Sequence, residues 1–366
     1  MTTDSLFEDI ESENDDSQVS LPAYEILTYP ADYTLEVLVE KWRKNDIKVP
    51  TLQRGYVWNQ AKASKLIESF LLGLPVPPVF LYQDRKDNSL LVIDGHQRLR
   101  SIFYFFTGLF GESNSKKSKT FRLEGLYKKS PYLGKTYEWL KKEDNKAFNK
   151  LNNSVLRAFL MKQIDPADDT SIFQVFERLN SGGVALNSQE IRNCLYEGTL
   201  NHLLKELNDV PEWREIVGRK SVDTRMRDVE LILRLLALLD GVSNYESPMK
   251  KFLNDFMEEN KKLVEDQSRN FSNIFKDTSV AVLRNLGKRP FHVHRGLNLA
   301  VCDSVFIAFA RHVRSHRKDH NSGDLRKRYE KLLEDPAYIE KTSKATTNTE
   351  VVTTRIEIAE KFLFGK

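Results

Sequence analysis

The sequence predicts an α+β chain, with an α/β amino-terminal domain followed by an all-helical domain. Two observations carry this prediction. Short apolar runs bounded by turn residues, Val79-Phe80-Leu81-Tyr82 and Leu90-Leu91-Val92-Ile93, are interleaved with helical periodicity in the first half of the chain. Beyond about Leu200 the strand signals fade, and long amphipathic stretches dominate. At 366 residues the chain exceeds the usual size of a single domain. The expected divisions are an acidic disordered tail over residues 1–18, a first domain over 19–199 and a helical domain over 200–366.

The elements follow in order. Tyr33 to Asn45 places Leu35, Leu38, Val39 and Trp42 at helical spacing. Asn59 is set to cap a second helix carrying Ala63, Leu66, Ile67 and Phe70, and Gly73 ends it. Pro75-Val76-Pro77-Pro78 forces an extended approach to the strand Val79–Tyr82. Leu90–Ile93 is continuously apolar, the pattern of a strand buried on both faces. A turn at Asp94-Gly95 then leads into a helix from about Gln97 to Phe106, stopped at Gly108. Leu109 to Pro131 is polar and Lys-rich, read as a hairpin or a loose insertion, and Leu156 to Ile164 mixes strand and helix signals. Pro166–Asp169 opens a helix through Ile172, Val175, Phe176 and Leu179, which Asn180-Ser181-Gly182-Gly183 breaks; Asn187–Glu190 caps the next. The later helices are read at Val229–Leu239, Met249–Leu263, Leu297–Val313, Leu325–Leu333 and Thr354–Phe364.

Composition sets limits on function. Hydrophobic residues make up 40% and charged residues 30%, an ordinary globular balance. No apolar run reaches the roughly 18–20 residues that a spanning helix needs, so no membrane partner is expected. Met1 to Ser20 has the character of neither a signal nor a transit peptide, and Cys194 and Cys302 form no CxxC pair. A cytoplasmic protein with free thiols is expected. The formal charge of +4 is too small to identify a nucleic-acid partner, but Lys-rich segments such as Lys128–Lys129 and Lys135–Lys150 could meet phosphates or simply be solvated surface. His312, His316 and His320 share one helical face, yet the surrounding Arg311, Arg314, Arg317 and Lys318 favour a solvated basic helix over a zinc site.

Three motifs carry chemistry. In Ile93-Asp94-Gly95-His96-Gln97-Arg98 a buried strand ends in a glycine turn at which a helix begins. Free amide groups and the helix dipole there make an anion site. Gly95 permits close approach, Arg98 offers a planar fork for phosphate oxygens, and Asp94 offers a metal or water ligand. The alternative is that Asp94 caps the helix and Arg98 is a surface residue. In Pro50-Thr51-Leu52-Gln53-Arg54-Gly55-Tyr56-Val57-Trp58, Gln53 and Arg54 can read a base edge or a phosphate. Trp58 is either a stacking surface or a core anchor, and the core reading is favoured. In Phe176-Glu177-Arg178-Leu179-Asn180-Ser181-Gly182-Gly183, a helix end and a Gly-Gly loop form a ligand loop. Glu177 and Asn180 could bind metal or position water there, and Arg178 could neutralise phosphate; a structural Glu177–Arg178 ion pair is the alternative. Arg192 and Asn193 continue this element on the next helix.

Leu91 to Gly108 resembles the DGQQR signature of the N-terminal domain of GmrSD-type, modification-dependent restriction proteins. The second and third motifs resemble that family's P-x-x-Q-R-x-x-x-W and F-E-R-(I/L)-N-(S/T)-G-G elements, in the same order. His96 departs from the family's usual Gln, and Leu52 stands where relatives that sense modified DNA often carry an aromatic residue. The resemblance implies a ParB/sulfiredoxin-like fold in which the turn and helix bind nucleotide phosphates. It implies a nucleotide-binding set of Gln53, Arg54, Asp94, Gly95, His96, Gln97, Arg98, Arg178, Asn180, Gly182, Gly183, Arg192 and Asn193. Asp94 and Glu177 are the expected catalytic and Mg²⁺-binding residues. The function so implied is a nucleoside-triphosphate-binding, NTP-hydrolysing protein that works with DNA in restriction or phage defence. A ParB-like metal-dependent nuclease and a non-enzymatic nucleotide-switched DNA- or protein-binding module are the alternatives. No His-Asn-His nuclease motif follows Leu200, so a separate nuclease subunit is the expected partner.

Overall fold

A computed structural model of the chain describes residues 24–48, 56–85, 87–111, 119–166, 171–179, 187–293, 296–315 and 324–365. The chain forms two compact units that part between Leu186 and Asn187. The expected acidic tail, Met1–Gln18, lies outside the described residues.

The first unit holds a five-stranded mixed sheet flanked by helices. In chain order its elements are β1 (Glu25–Thr34), α1 (Leu35–Arg43), β2 (Ile47–Lys48), α2 (Gln60–Leu72), β3 (Val79–Gln83), β4 (Leu90–Asp94) and α3 (His96–Thr107). There follow β5 (Leu109–Phe110), β6 (Lys119–Thr120), α4 (Tyr137–Glu143), α5 (Asn145–Asn153), β7 (Val155–Asp165) and α6 (Ser171–Leu179). The sheet order is β1-β7-β3-β4-β2. β7 pairs antiparallel with β1 and parallel with β3; β4 pairs antiparallel with β3 and parallel with β2.

Local chemistry explains these boundaries. The Asn59 side chain accepts the Lys62 amide and caps α2, and Gly73 ends that helix in the left-handed conformation. Gly108 ends α3 in the same way. All four apolar residues of Leu90–Ile93 are buried, as the unbroken run requires. Val155–Asp165, ambiguous in sequence, is a strand because it lies inside the sheet and alternates: Leu156, Ala158 and Leu160 face the core. The core lies between the sheet and α1–α3, where Trp42 stacks on Phe103 with ring centroids 4.5 Å apart.

Leu109–Pro131 is no loose insertion where it is described. β5 and β6 pair with each other, and Phe121 and Leu123 are fully buried in the core. Gln163, at the end of β7, is also fully buried. Its amide donates to the Pro166 carbonyl, and its Oε1 accepts the Ser171 N–H at 2.7 Å, at the first residue of α6.

The second unit is helical. It comprises α7 (Ser188–Leu195), α8 (Thr199–Asn208), α9 (Pro211–Val217), α10 (Arg227–Gly241), α11 (Met249–Glu259), α12 (Glu265–Leu286), α13 (Leu299–Ser315), α14 (Leu325–Glu334), α15 (Pro336–Ser343) and α16 (Thr349–Phe364). A short hairpin pairs His292–Val293 with Gly296–Leu297. α7, which the sequence assigns to the first domain, packs instead on α10 and α11 of this unit. The 22-residue α12 escapes the periodicity reading because its inner face includes the buried Thr278 and Ser279. Asp303 is fully buried and accepts hydrogen bonds from Arg234 and Arg355 at 2.7 and 2.9 Å. Among the described residues no helix is long and apolar enough to cross a membrane.

Candidate functional site

The site begins where β4 runs out. Asp94 is the last residue of the strand, and Gly95 turns the chain with φ +95° into α3. Sequence reasoning gives this glycine to a close ligand approach. The structure supplies a second and more demanding reason: a Cβ at Gly95 would lie 2.9 Å from Val79 Cβ, and closer still to its Cγ1. The turn therefore rests directly on the first residue of β3. Leu99 makes the first intrahelical bond, to the Gly95 carbonyl. Gly95 has no side chain to cap the amides before it, and the first turn of α3 carries no acidic residue. His96, Gln97 and Arg98 thus present their N–H groups at the positive end of the helix dipole.

Asp94 and Arg98 are paired. One Arg98 Nη donates to Asp94 Oδ2 at 2.9 Å and to the Pro78 carbonyl at 3.0 Å. The Asp94 side chain is 44% exposed and that of Arg98 18%. The carboxylate therefore faces solvent, with the guanidinium beneath it. Arg98 is neither a surface residue nor a free fork: it ties the end of β4 to the approach to β3 and places a positive charge under the turn.

Gln97 fixes the neighbouring segment. Its Oε1 accepts the backbone N–H groups of Val57 and Trp58 at 3.2 and 3.3 Å. Its amide nitrogen must then donate to His96 Nε2, 2.8 Å away. That bond assigns the His96 proton to Nδ1. Burial, with the charge of Arg100 adding to it, lowers the His96 pKa to about 4 against the opposing pull of Asp94, so the ring is neutral at pH 7. Ser101 Oγ donates to the Gln97 carbonyl, and Tyr56 is hydrogen-bonded to the same hydroxyl at 2.7 Å. The Tyr56 phenol, its pKa pushed up to about 12 mainly by burial, stays protonated. The end of the second motif is thus fastened to the start of the first. Trp58 packs half-buried against the core, with Lys62 Nζ 4.5 Å from its ring centroid, as the anchoring role requires. Gln53 and Arg54 lie outside the described residues.

The third motif approaches through α6, which packs against β4. Ile172 and Phe176 are fully buried and Arg178 is exposed. The side chain of Glu177, and Asn180, Gly182 and Gly183, lie outside the described residues. Arg192 and Asn193 belong to the helical unit. Arg192 is fully buried, donating to Asn254 at 2.8 Å and to Gln189 at 3.2 Å, with Glu230 at 3.3 Å. Asn193 is buried as well. The donors of Arg192 serve the interior of that unit, and burial lowers its pKa from the usual value.

Sequence reasoning missed three contributors, Val79, Ser101 and Gln163. Val79 and Ser101 act across the fold, on Gly95 and Tyr56, and Gln163 acts within a few residues, on Pro166 and Ser171, without a motif to mark it. Among the described residues no three His, Cys, Asp or Glu side chains form a metal-binding group. Mg²⁺ typically keeps several waters and takes one or two carboxylates plus substrate phosphates. The single half-exposed Asp94 carboxylate fits such partial ligation and does not fit an all-protein cage. His312 stacks on Phe364 with centroids 4.1 Å apart and so is not simply solvated; His316 and His320 lie outside the described residues.

Residues 35–197 match the family model described as the GmrSD restriction endonuclease, N-terminal domain. No curated protein matches the chain.

Proposed function

Residues 35–197 belong to the GmrSD N-terminal domain family, and from that premise we propose that this chain is a nucleotide-binding protein of a restriction or phage-defence system. The observation that carries the reading is the start of α3, an uncapped helix end at a glycine turn, backed by the Arg98 charge and edged by the half-exposed Asp94. Such a helix end favours phosphate through oriented N–H groups and the dipole. In this reading the first unit is a ParB/sulfiredoxin-like domain, and the terminal phosphates of a nucleoside triphosphate sit on the amides of His96–Arg98. The neutral His96 offers Nδ1–H as a further donor.

Magnesium, when bound, would be held by Asp94 and Glu177 and would neutralise charge on the phosphates. Arg98 positions Asp94, and α6 brings the helix that carries Glu177 against the strand that carries Asp94. Hydrolysis of the bound triphosphate, work on DNA, a separate nuclease subunit and a cytoplasmic location complete the reading. Calorimetric titration of the full chain with ATP, GTP and CTP, each with and without Mg²⁺, tests it. Saturable binding of at least one triphosphate is expected. Absence of heat with all three under both conditions overturns the reading.

A further inference from the structure

We propose that α2 and the loop Arg122–Ser130 form a DNA-contact surface, separate from the nucleotide turn, that grips the phosphodiester backbone. The choice of DNA rests on the function proposed above; the surface itself rests on the following geometry. The loop is laid along α2 by a series of contacts. The Gln60 amide donates to the Arg122 carbonyl at 2.6 Å. The Glu124 N–H donates to Ser64 Oγ at 2.9 Å. Gly125, at φ +64°, has Ala61 where its Cβ would be. The Ser130 hydroxyl donates to Glu68. Ala61, Ser64 and Glu68 are one ridge of the helix, so the loop runs along that ridge. Lys62 and Lys65, both exposed, occupy the adjoining ridge. Arg122, Lys128 and Lys129 are exposed on the loop. The packing therefore gathers five cations onto one face from two separate stretches of sequence.

Among the described residues these cations are not ion-paired, unlike several other exposed ones. Arg43, Lys48, Arg157, Lys251 and Arg269 all have a carboxylate within ion-pair distance. Among the described residues none of Lys62, Lys65, Arg122, Lys128 and Lys129 does. Of the acids nearby, Glu124 is exposed and Glu68 accepts the Ser130 hydroxyl. Tyr127, in the middle of the loop, is 73% exposed, beside Lys128 and Lys129. At the other end of the face, Trp58 lies under Lys62. Unpaired cations interleaved with an exposed aromatic ring suit a polyanion with stackable bases. The tethers keep this arrangement rigid, so little order has to be gained on binding.

The test is fluorescence anisotropy of the full chain with labelled duplex and single-stranded DNA, over a salt series. Four proteins are compared: the wild type, the triple variant Arg122→Gln/Lys128→Gln/Lys129→Gln, the single variant Tyr127→Ala, and a control with the same charge change as the triple variant on exposed lysines of the helical unit, Lys276→Gln/Lys327→Gln/Lys331→Gln. The loop variant should lose about tenfold or more in affinity, and its log–log salt slope should flatten by about one for each cation removed. The control should bind as the wild type does. Tyr127→Ala should weaken single-stranded binding more than duplex binding. Equal losses in loop variant and control, an unchanged loop variant, no DNA binding by the wild type, or tighter binding of a matched RNA overturns the proposal. Triphosphate titration of the loop variant keeps the two readings apart. If the wild type binds no nucleotide while the loop variant alone loses DNA, the nucleotide reading falls and this one stands.

Discussion

Gln97 holds Trp58: its side-chain oxygen accepts the Trp58 backbone N–H at 3.3 Å across 39 residues of sequence, and that of Val57 at 3.2 Å. With the oxygen so occupied, only the Gln97 amide nitrogen remains for His96. Gln97→Glu should keep the two amides satisfied but turn an acceptor toward His96 Nε2. The ring must then carry a proton there, and the added negative charge should raise its pKa above the present value of about 4. Imidazole titration by NMR reads the change directly; a value still near 4 would show that a carboxylate at position 97 does not reach the ring.

Neutral His96 also makes stability depend on pH. Its folded pKa lies near 4 and its ordinary value is 6.5, so between these limits the unfolded chain binds more protons. The part of the stability linked to His96 is therefore present in full above about pH 6.5 and is lost as pH falls toward 4. His292, also pushed down to about 4 by burial, contributes in the same window. Denaturant melts of His96→Gln should show a shallower decline over that range than the wild type; an identical slope would remove His96 from the account.

Gly95→Ala should destabilise the chain by more than about 1 kcal/mol, because the residue is left-handed and its Cβ would strike Val79. Adding Val79→Ala should not restore the wild type, since it removes the collision but leaves the backbone strain and empties part of the core. A Gly95→Ala protein that melts like the wild type would show that the turn can shift.

Arg98→Ala should weaken triphosphate binding and also lower stability, by about 1.5–3 kcal/mol, through loss of a charged donor to Asp94 and the Pro78 carbonyl. Calorimetry alongside a urea melt separates the effects. A folded variant with unchanged affinity would place the phosphates elsewhere.

Glu177→Gln should slow phosphate release far more than it weakens triphosphate binding, as expected for a group whose charge acts chiefly in the transition state. Steady-state release measured beside equilibrium binding decides this. Normal turnover in the variant would end its catalytic assignment.

Much of this arrangement is legible in the sequence wherever the governing interaction is local. Leu90–Ile93 reads as a strand because nothing polar interrupts it, and Gly95 and Gly108 mark the ends of α3. Asn187 and Glu190 form the capping box that their spacing announces. Long-range partners leave no such trace. Nothing near Gly95 points to Val79, and nothing in Gln97 points to Val57. Arg192 follows the third motif in sequence, yet it is drawn into the helical unit by Asn254 and Glu230, which lie far along the chain.

Gln163 has one further consequence. Because a single side chain bridges the Pro166 carbonyl and the Ser171 amide, strand β7 itself holds the place where α6 begins. Linker length and helix placement are thereby decoupled. With both ends held by Gln163, a longer connection adds a loop-closure cost that rises only logarithmically with length. The connection is thus a graft point: a foreign segment inserted there would leave the helix that carries Glu177 and Arg178 seated on the strand that ends at Asp94.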